Sequence, residues 1–255
     1  MMLHTETLGR GPDVVFLHGW GLHGGVFSRL ARYLADSGLT VHLVDLPGHG
    51  HTPAEATFDI ARIADQLALA FPLPVQVVGW SLGGLVAQHW AARHPDTVRS
   101  LSLVATSPRF VRSADWPHAQ PREAIETVGH NLATDFEGTL RRFLALQTLG
   151  APHARQTLEA MQSLLFAHGR PQGLMPALQA LLEADARAVA PEIACPTGLF
   201  FGARDAITPT GAARWLAHTL PDARLHLFAQ ASHAPFLSHE SDFIAALAPH
   251  LDRFA

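Results

Sequence analysis

The chain has 255 residues, 48% of them hydrophobic and 16% charged, with a formal net charge of −4. That balance describes a globular chain long enough for one large α/β domain or a core with an insertion, and it excludes the basic footprint of a nucleic-acid binder. No apolar run reaches the ~20 residues of a membrane span, and the single cysteine, Cys195, excludes an internal disulfide.

The N-terminal stretch Met1-Met2-Leu3-His4-Thr5-Glu6 lacks a basic region followed by an apolar one, so the expected location is the cytoplasm; the expected state is a monomer. Gly9-Arg10-Gly11 reads as a turn between two N-terminal strands. From there, short β-type runs alternate with helical patterns: Val14 to Leu17, Thr40 to Val44, Val75 to Val78 and Leu101 to Ala105 as strands, with Val26 to Ser37, Asp59 to Ala70 and Leu82 to Arg93 as helices. His94-Pro95 ends the third helix. This order predicts an α/β fold with a mostly parallel central sheet flanked by helices. The alternation then breaks. From about Val111 to Ala190 there is no convincing strand, only helical segments punctuated by Pro121, Pro152, Pro171 and Pro176, which predicts an inserted helical lid over 111–190 between two parts of the core, 1–110 and 191–255. Strands resume at Gly198 to Phe201 and Leu225 to Phe228, and an amphipathic helix from about Ser241 to Leu251 ends the chain. Cys195, at the entry to a strand, reads as a buried structural thiol.

Gly79-Trp80-Ser81-Leu82-Gly83 is the most informative segment. It places a serine between a strand and a helix, with glycines two residues before and after it, as a nucleophile elbow requires. A serine hydroxyl needs a base, and the base needs a third group to hold its tautomer. In an open parallel sheet such groups lie beyond the carboxyl ends of strands, in the chain order serine, acid, histidine. Asp205 and His233 both follow strands. Asp222 precedes one and belongs at the opposite edge; His226 falls inside a strand, and His239 falls near the start of the last helix, in a capping or surface role. Ser81, Asp205 and His233 are therefore the expected catalytic set. For the oxyanion hole, Leu82 should supply one backbone N–H and Trp20, in His18-Gly19-Trp20-Gly21, the other; Trp20 can also wall the acyl pocket. The turn Asp45-Leu46-Pro47-Gly48-His49-Gly50 reads as structural. The 17 histidines match no zinc template, and no phosphate-binding glycine loop is present, so neither a metal nor a nucleotide cofactor is expected.

With these residues in place, the chain resembles the α/β-hydrolase superfamily over nearly its whole length. Within it, the chain is similar to the pimeloyl-acyl-carrier-protein methyl ester esterases of biotin synthesis. Three blocks carry the closer likeness: Leu17 to Leu22, Gly79 to Ala87, and Arg142-Phe143-Leu144-Ala145-Leu146-Gln147-Thr148 in the lid. The resemblance implies a serine carboxylesterase that frees the distal carboxylate of a carrier-bound pimeloyl methyl ester. It also implies that Phe143, Leu144, Ala145, Leu146 and Gln147 contact the acyl chain. An acidic carrier protein would dock on Arg141, Arg142 and Arg155, although the family pattern favours arginine where this chain has Gly138 and Glu159. Alternatives on the same fold are a broad carboxylesterase, lactonase or C–C hydrolase, or a ligand receptor without catalysis.

Overall fold

The computed structural model describes residues 2–254. Seven strands form one sheet: β1 (Thr5–Gly9), β2 (Asp13–Leu17), β3 (Thr40–Val44), β4 (Val75–Trp80), β5 (Val98–Val104), β6 (Thr197–Gly202) and β7 (Ala223–Phe228), in the spatial order β1-β3-β2-β4-β5-β6-β7. Only β1 runs antiparallel, against β3. The other pairs are parallel, with Phe16 beside Val78, Val78 beside Ser102 and Ser102 beside Gly198. All six residues of β4 are buried, as expected of a central parallel strand covered on both faces.

Around the sheet lie α1 (Ser28–Asp36), α2 (Ile60–Ala70), α3 (Leu82–Arg93), α8 (Thr210–Thr219) and α10 (Glu240–Asp252), with the single turn α9 (Pro235–Ser238) before the last. The Asp59 carboxylate caps α2 by accepting from the Arg62 amide at 3.1 Å. Nine of the twelve residues of α3 are buried, so this helix is packed on every side, under the centre of the sheet and against α2. That fixes the position of its first turn, where the site lies.

Between β5 and β6 the chain forms α4 (Arg122–Thr134), α5 (Phe136–Thr148), α6 (Ala154–Leu164) and α7 (Leu174–Glu183). The stretch 111–121, which the sequence groups with these helices, is irregular: two isolated bridges tie it together, and Trp116 packs edge-on against Trp215 of α8 at 5.3 Å. β5 begins three residues earlier than the apolar run suggests, and Ala105, expected at its end, leaves the strand with φ 42°. Its amide still reaches the Phe200 carbonyl at 3.0 Å. Cys195 is half-buried, and burial pushes its thiol up to about 11, so it stays protonated.

Candidate active site

Ser81 links β4 to α3 with φ 54° and ψ −115°. Such a backbone costs on the order of 1–3 kcal/mol and persists only where the surroundings enforce it. Here the Ser81 amide donates to the Val104 carbonyl at 3.0 Å, and the Thr106 hydroxyl donates to the Ser81 carbonyl at 2.6 Å. The flanking glycines are required by space. A Cβ on Gly79 would lie 2.6 Å from the Gly83 carbonyl oxygen, and one on Gly83 would lie 2.2 Å from that of Leu17.

Asp205 and His233 come together at the same edge of the sheet. His233 Nδ1 lies 2.8 Å from Asp205 Oδ2, in a pair whose side chains are 1% and 0% exposed. The second carboxylate oxygen accepts from the Ile207 amide at 2.7 Å and the Thr208 amide at 3.0 Å. The backbone of His233 is held at both ends: its amide donates to the Gln147 carbonyl at 3.0 Å, and its carbonyl accepts from the Trp80 indole at 2.9 Å. Trp80 immediately precedes Ser81, and its ring centroid lies 5.6 Å from that of His233. The strand that carries the serine thus also carries the histidine. Asp222 lies at the other end of its strand, its carbonyl accepting from Thr197; His239 sits ahead of α10, within 2.9 Å of the Ser238 hydroxyl.

Leu82 opens α3, where backbone amides lack intrahelical partners. Among the described residues, neither its amide nor that of Trp20 donates to a protein acceptor. The loop bearing Trp20 is pinned by two histidines. His18 Nδ1 bonds the Gly19 carbonyl at 2.8 Å while its Nε2 accepts from the Leu46 amide at 2.9 Å. His49 Nε2 accepts from the Gly21 amide at 3.4 Å, with its Nδ1 on the Pro47 carbonyl. Burial, reinforced by the nearby His49, lowers the pKa of His18 to about 3, and burial lowers that of His49 to about 4. Both are neutral acceptors at pH 7. Asp45 completes the brace, accepting from the Gly24 and His51 amides.

Ser81 opens into a cavity with twelve lining residues, of which only Ser81 and Gln120 are polar and none is charged. Trp20, Phe143 and Leu146 line it, together with Phe110, Ile125, Leu178 and Ile207, which the sequence did not single out. Trp20 and Phe143 meet edge to face at 4.9 Å, and the Trp20 indole donates to the Leu174 carbonyl. Leu144, Ala145 and Gln147 do not line the cavity. Leu144 is buried on another face of α5, Ala145 is exposed, and Gln147 acts through its carbonyl on His233. Of the lid arginines, Arg141 is exposed; Arg142 pairs with Asp135 at 3.0 Å and Arg155 with Glu159 at 2.8 Å. Gly138 is confined, since a Cβ there would meet the Asp135 carboxylate that caps α5. Among the described residues, no group of three or more His, Cys, Asp or Glu is arranged to hold a metal ion, and no helix is long and apolar enough to cross a membrane.

Residues 12–240 match the model of the alpha/beta hydrolase fold family. The chain is 69% identical over 252 residues, 99% of both chains, to the pimeloyl-[acyl-carrier protein] methyl ester esterase of Chromobacterium violaceum. It is 44% identical over 96% of its length, and 95% of the relative's, to the enzyme of the same name from Stenotrophomonas maltophilia. Among solved structures, an esterase from Exiguobacterium antarcticum superposes with a TM-score of 0.90 at 23% identity, covering 98% of this chain and 95% of that one. The enol-lactonase from Burkholderia xenovorans superposes with a TM-score of 0.86 at 22% identity, covering 98% and 96%; both share the fold. The chain belongs to the α/β-hydrolase family and, within it, groups with the pimeloyl-[acyl-carrier protein] methyl ester esterases.

Proposed function

We propose that this protein is a serine esterase that hydrolyses the methyl ester of pimeloyl-acyl-carrier protein in biotin synthesis, releasing methanol and leaving the carrier thioester intact. The observation that carries the reading is the uncharged, apolar cavity opening onto Ser81, in a chain 69% identical to an esterase of that name.

Ser81 Oγ attacks the ester carbonyl carbon and gives its proton to His233 Nε2, while Asp205 holds the Nδ1 proton and stabilises the imidazolium. The carbonyl oxygen becomes the oxyanion, taking hydrogen bonds from the Trp20 and Leu82 amides, each worth roughly 10²–10³ in rate. Collapse of the tetrahedral centre breaks the bond to methoxide, which leaves as methanol with the proton from His233. A water then attacks the acyl-enzyme, passes a proton to His233, and the serine departs protonated. The cavity suits this sequence on electrostatic grounds. The bound chain is apolar and neutral at its ester end, whereas the product carboxylate finds no cation among the lining residues and leaves for water.

Arg141, Arg142 and Arg155 form the docking surface for the acidic carrier in this reading, and the protein works in the cytoplasm as a monomer without cofactor. Exposed ion pairs such as Arg142 with Asp135 are worth little, so an acidic partner can replace the internal acid at small cost. The test is incubation of the purified protein with pimeloyl-acyl-carrier protein methyl ester. Methanol and intact pimeloyl-carrier are expected, together with restored biotin-independent growth in a cell lacking this esterase. Cleavage of the thioester, or indifference to the carrier, would replace this reading with a general carboxylesterase or lactonase.

A further inference from the structure

Asp205 Oδ2, the oxygen that carries His233, has a second donor. The Thr208 hydroxyl donates to it at 2.5 Å and lies 3.5 Å from His233 Nδ1. With the Ile207 and Thr208 amides on Oδ1, the carboxylate accepts four hydrogen bonds, which fills its lone-pair sites. Thr208 is 1% exposed and the Asp205 side chain 0%, so water does not compete for these positions. A hydroxyl has one proton. Because Nδ1 must bear its own proton to donate to Oδ2, the Thr208 proton can serve only the carboxylate.

We propose that Thr208 is a positioning residue for the catalytic pair: its hydroxyl fixes Oδ2 toward His233 and draws off part of the carboxylate charge that would otherwise make the imidazole more basic. This rests on reading Ser81, Asp205 and His233 as the catalytic set. Its physical basis is that a hydrogen bond to an anion lowers the anion's power to stabilise a neighbouring cation. The surroundings of His233 leave this balance to Asp205 and Thr208. Asp205, from the loop after β6, is the charged group in hydrogen-bond contact with the imidazole. β4 contributes the uncharged Trp80, and α5 contributes the Gln147 carbonyl to the backbone of His233. A histidine that stayed protonated at neutral pH could not accept the serine proton.

The test is the pH dependence of kcat/KM for a short p-nitrophenyl ester in Thr208→Val and Thr208→Ser. Valine keeps the shape and the backbone amide of Thr208 but removes the hydroxyl. Its acidic limb is expected to move to higher pH by about half to one unit, with a smaller change in the high-pH plateau; serine should restore the wild-type limb. A valine variant whose plateau falls while its limb stays within about 0.2 units of wild type would assign Thr208 a packing role only and overturn the proposal. So would a limb that moves to lower pH. If valine prevents folding, Thr208→Cys, a weak donor, should give an intermediate shift, and no shift there overturns the proposal equally. NMR titration of the His233 ring in the same variants needs no substrate. It separates failure of this inference from failure of the esterase reading: an inactive protein whose His233 still titrates higher in Thr208→Val keeps the former and loses the latter.

Discussion

The Trp80 indole N–H donates to the backbone carbonyl of His233 across 153 residues of sequence, at 2.9 Å. Trp80 is the last residue of β4, is fully buried, and lies edge-on to Phe236 at 5.1 Å. The residue before Ser81 therefore also supports the backbone of His233, which ties the two proposed catalytic residues through one side chain.

Trp80→Phe should reveal that coupling. Phenylalanine keeps one aromatic ring, but the His233 carbonyl loses its donor, at about 1–3 kcal/mol, and the lost half of the buried indole leaves a cavity that adds to that cost. Displacement of the loop by even a fraction of an ångström should lower kcat by roughly ten- to a hundredfold while KM changes little. Steady-state kinetics beside urea denaturation checks this; unchanged kcat in a destabilised variant would reduce Trp80 to a packing residue.

Ser81→Ala should abolish ester turnover and leave the fold intact, since an elbow serine contributes little packing. The residual rate should be at most ~10³–10⁴ over water, supplied by binding and the oxyanion donors. Asp205→Asn should lower turnover on the order of 10⁴-fold, because an amide favours the wrong imidazole tautomer. Circular dichroism and active-site titration with a fluorophosphonate check both. An Asp205 effect below about tenfold would point to another carboxylate.

How far the sequence discloses this site depends on which residues are fixed by topology alone. Ser81 follows β4 directly, Asp205 lies three residues beyond β6 and His233 five beyond β7, so placing the strands puts all three beyond the carboxyl ends of strands, where an open parallel sheet carries its sites. The acyl cavity is different. Phe143 to Gln147 reads as one contiguous contact segment, but residues one or two apart on a helix do not share a face, so Phe143 and Leu146 line the cavity while Leu144 and Ala145 turn elsewhere. Gln147, four residues after Phe143, is not excluded by that spacing; it lies off the cavity, with its carbonyl accepting from the His233 amide. Phe110, Ile125 and Leu178 join the cavity from three other segments, and their convergence depends on tertiary packing that no local pattern encodes. The bracing roles of His18 and His49 are hidden for the same reason.

Those two histidines give the protein a defined sensitivity to acid. Their folded pKa values, about 3 for His18 and about 4 for His49, lie below the ordinary value of about 6.5. Between these limits the unfolded chain binds more protons than the folded one. Stability therefore rises with pH through this window and is lost as pH falls from about 6.5 toward 4, at roughly 1.4 kcal/mol per pH unit for each histidine. Urea titrations at pH 7, 6 and 5 should show the loss steepening below pH 6.5. In His49→Gln, whose amide oxygen can still accept from Gly21, the slope should be about one proton shallower. An unchanged slope would mean that water reaches His49 and that it titrates normally.

The lid arginines provide the sharpest test of substrate. Arg142 and Arg155 are well exposed, with side chains 61% and 89% accessible, and each already faces an acid. If they dock an acidic carrier, changing both to Glu should raise KM for the carrier-bound methyl ester by about tenfold or more at low salt, with the effect shrinking as ionic strength rises. Turnover of a free short ester should hardly change, because the arginines would bind a part of the substrate remote from the reacting carbonyl. Arg155→Glu opposite Glu159 also creates like-charge repulsion within α6, so Glu159→Arg in the wild-type background is the complementary variant and should lower KM for the carrier substrate. Equal losses on both substrates would make the arginines supports of α5 and α6. No loss on either would move the carrier to another face of the lid, or remove it from the reaction and leave a general esterase.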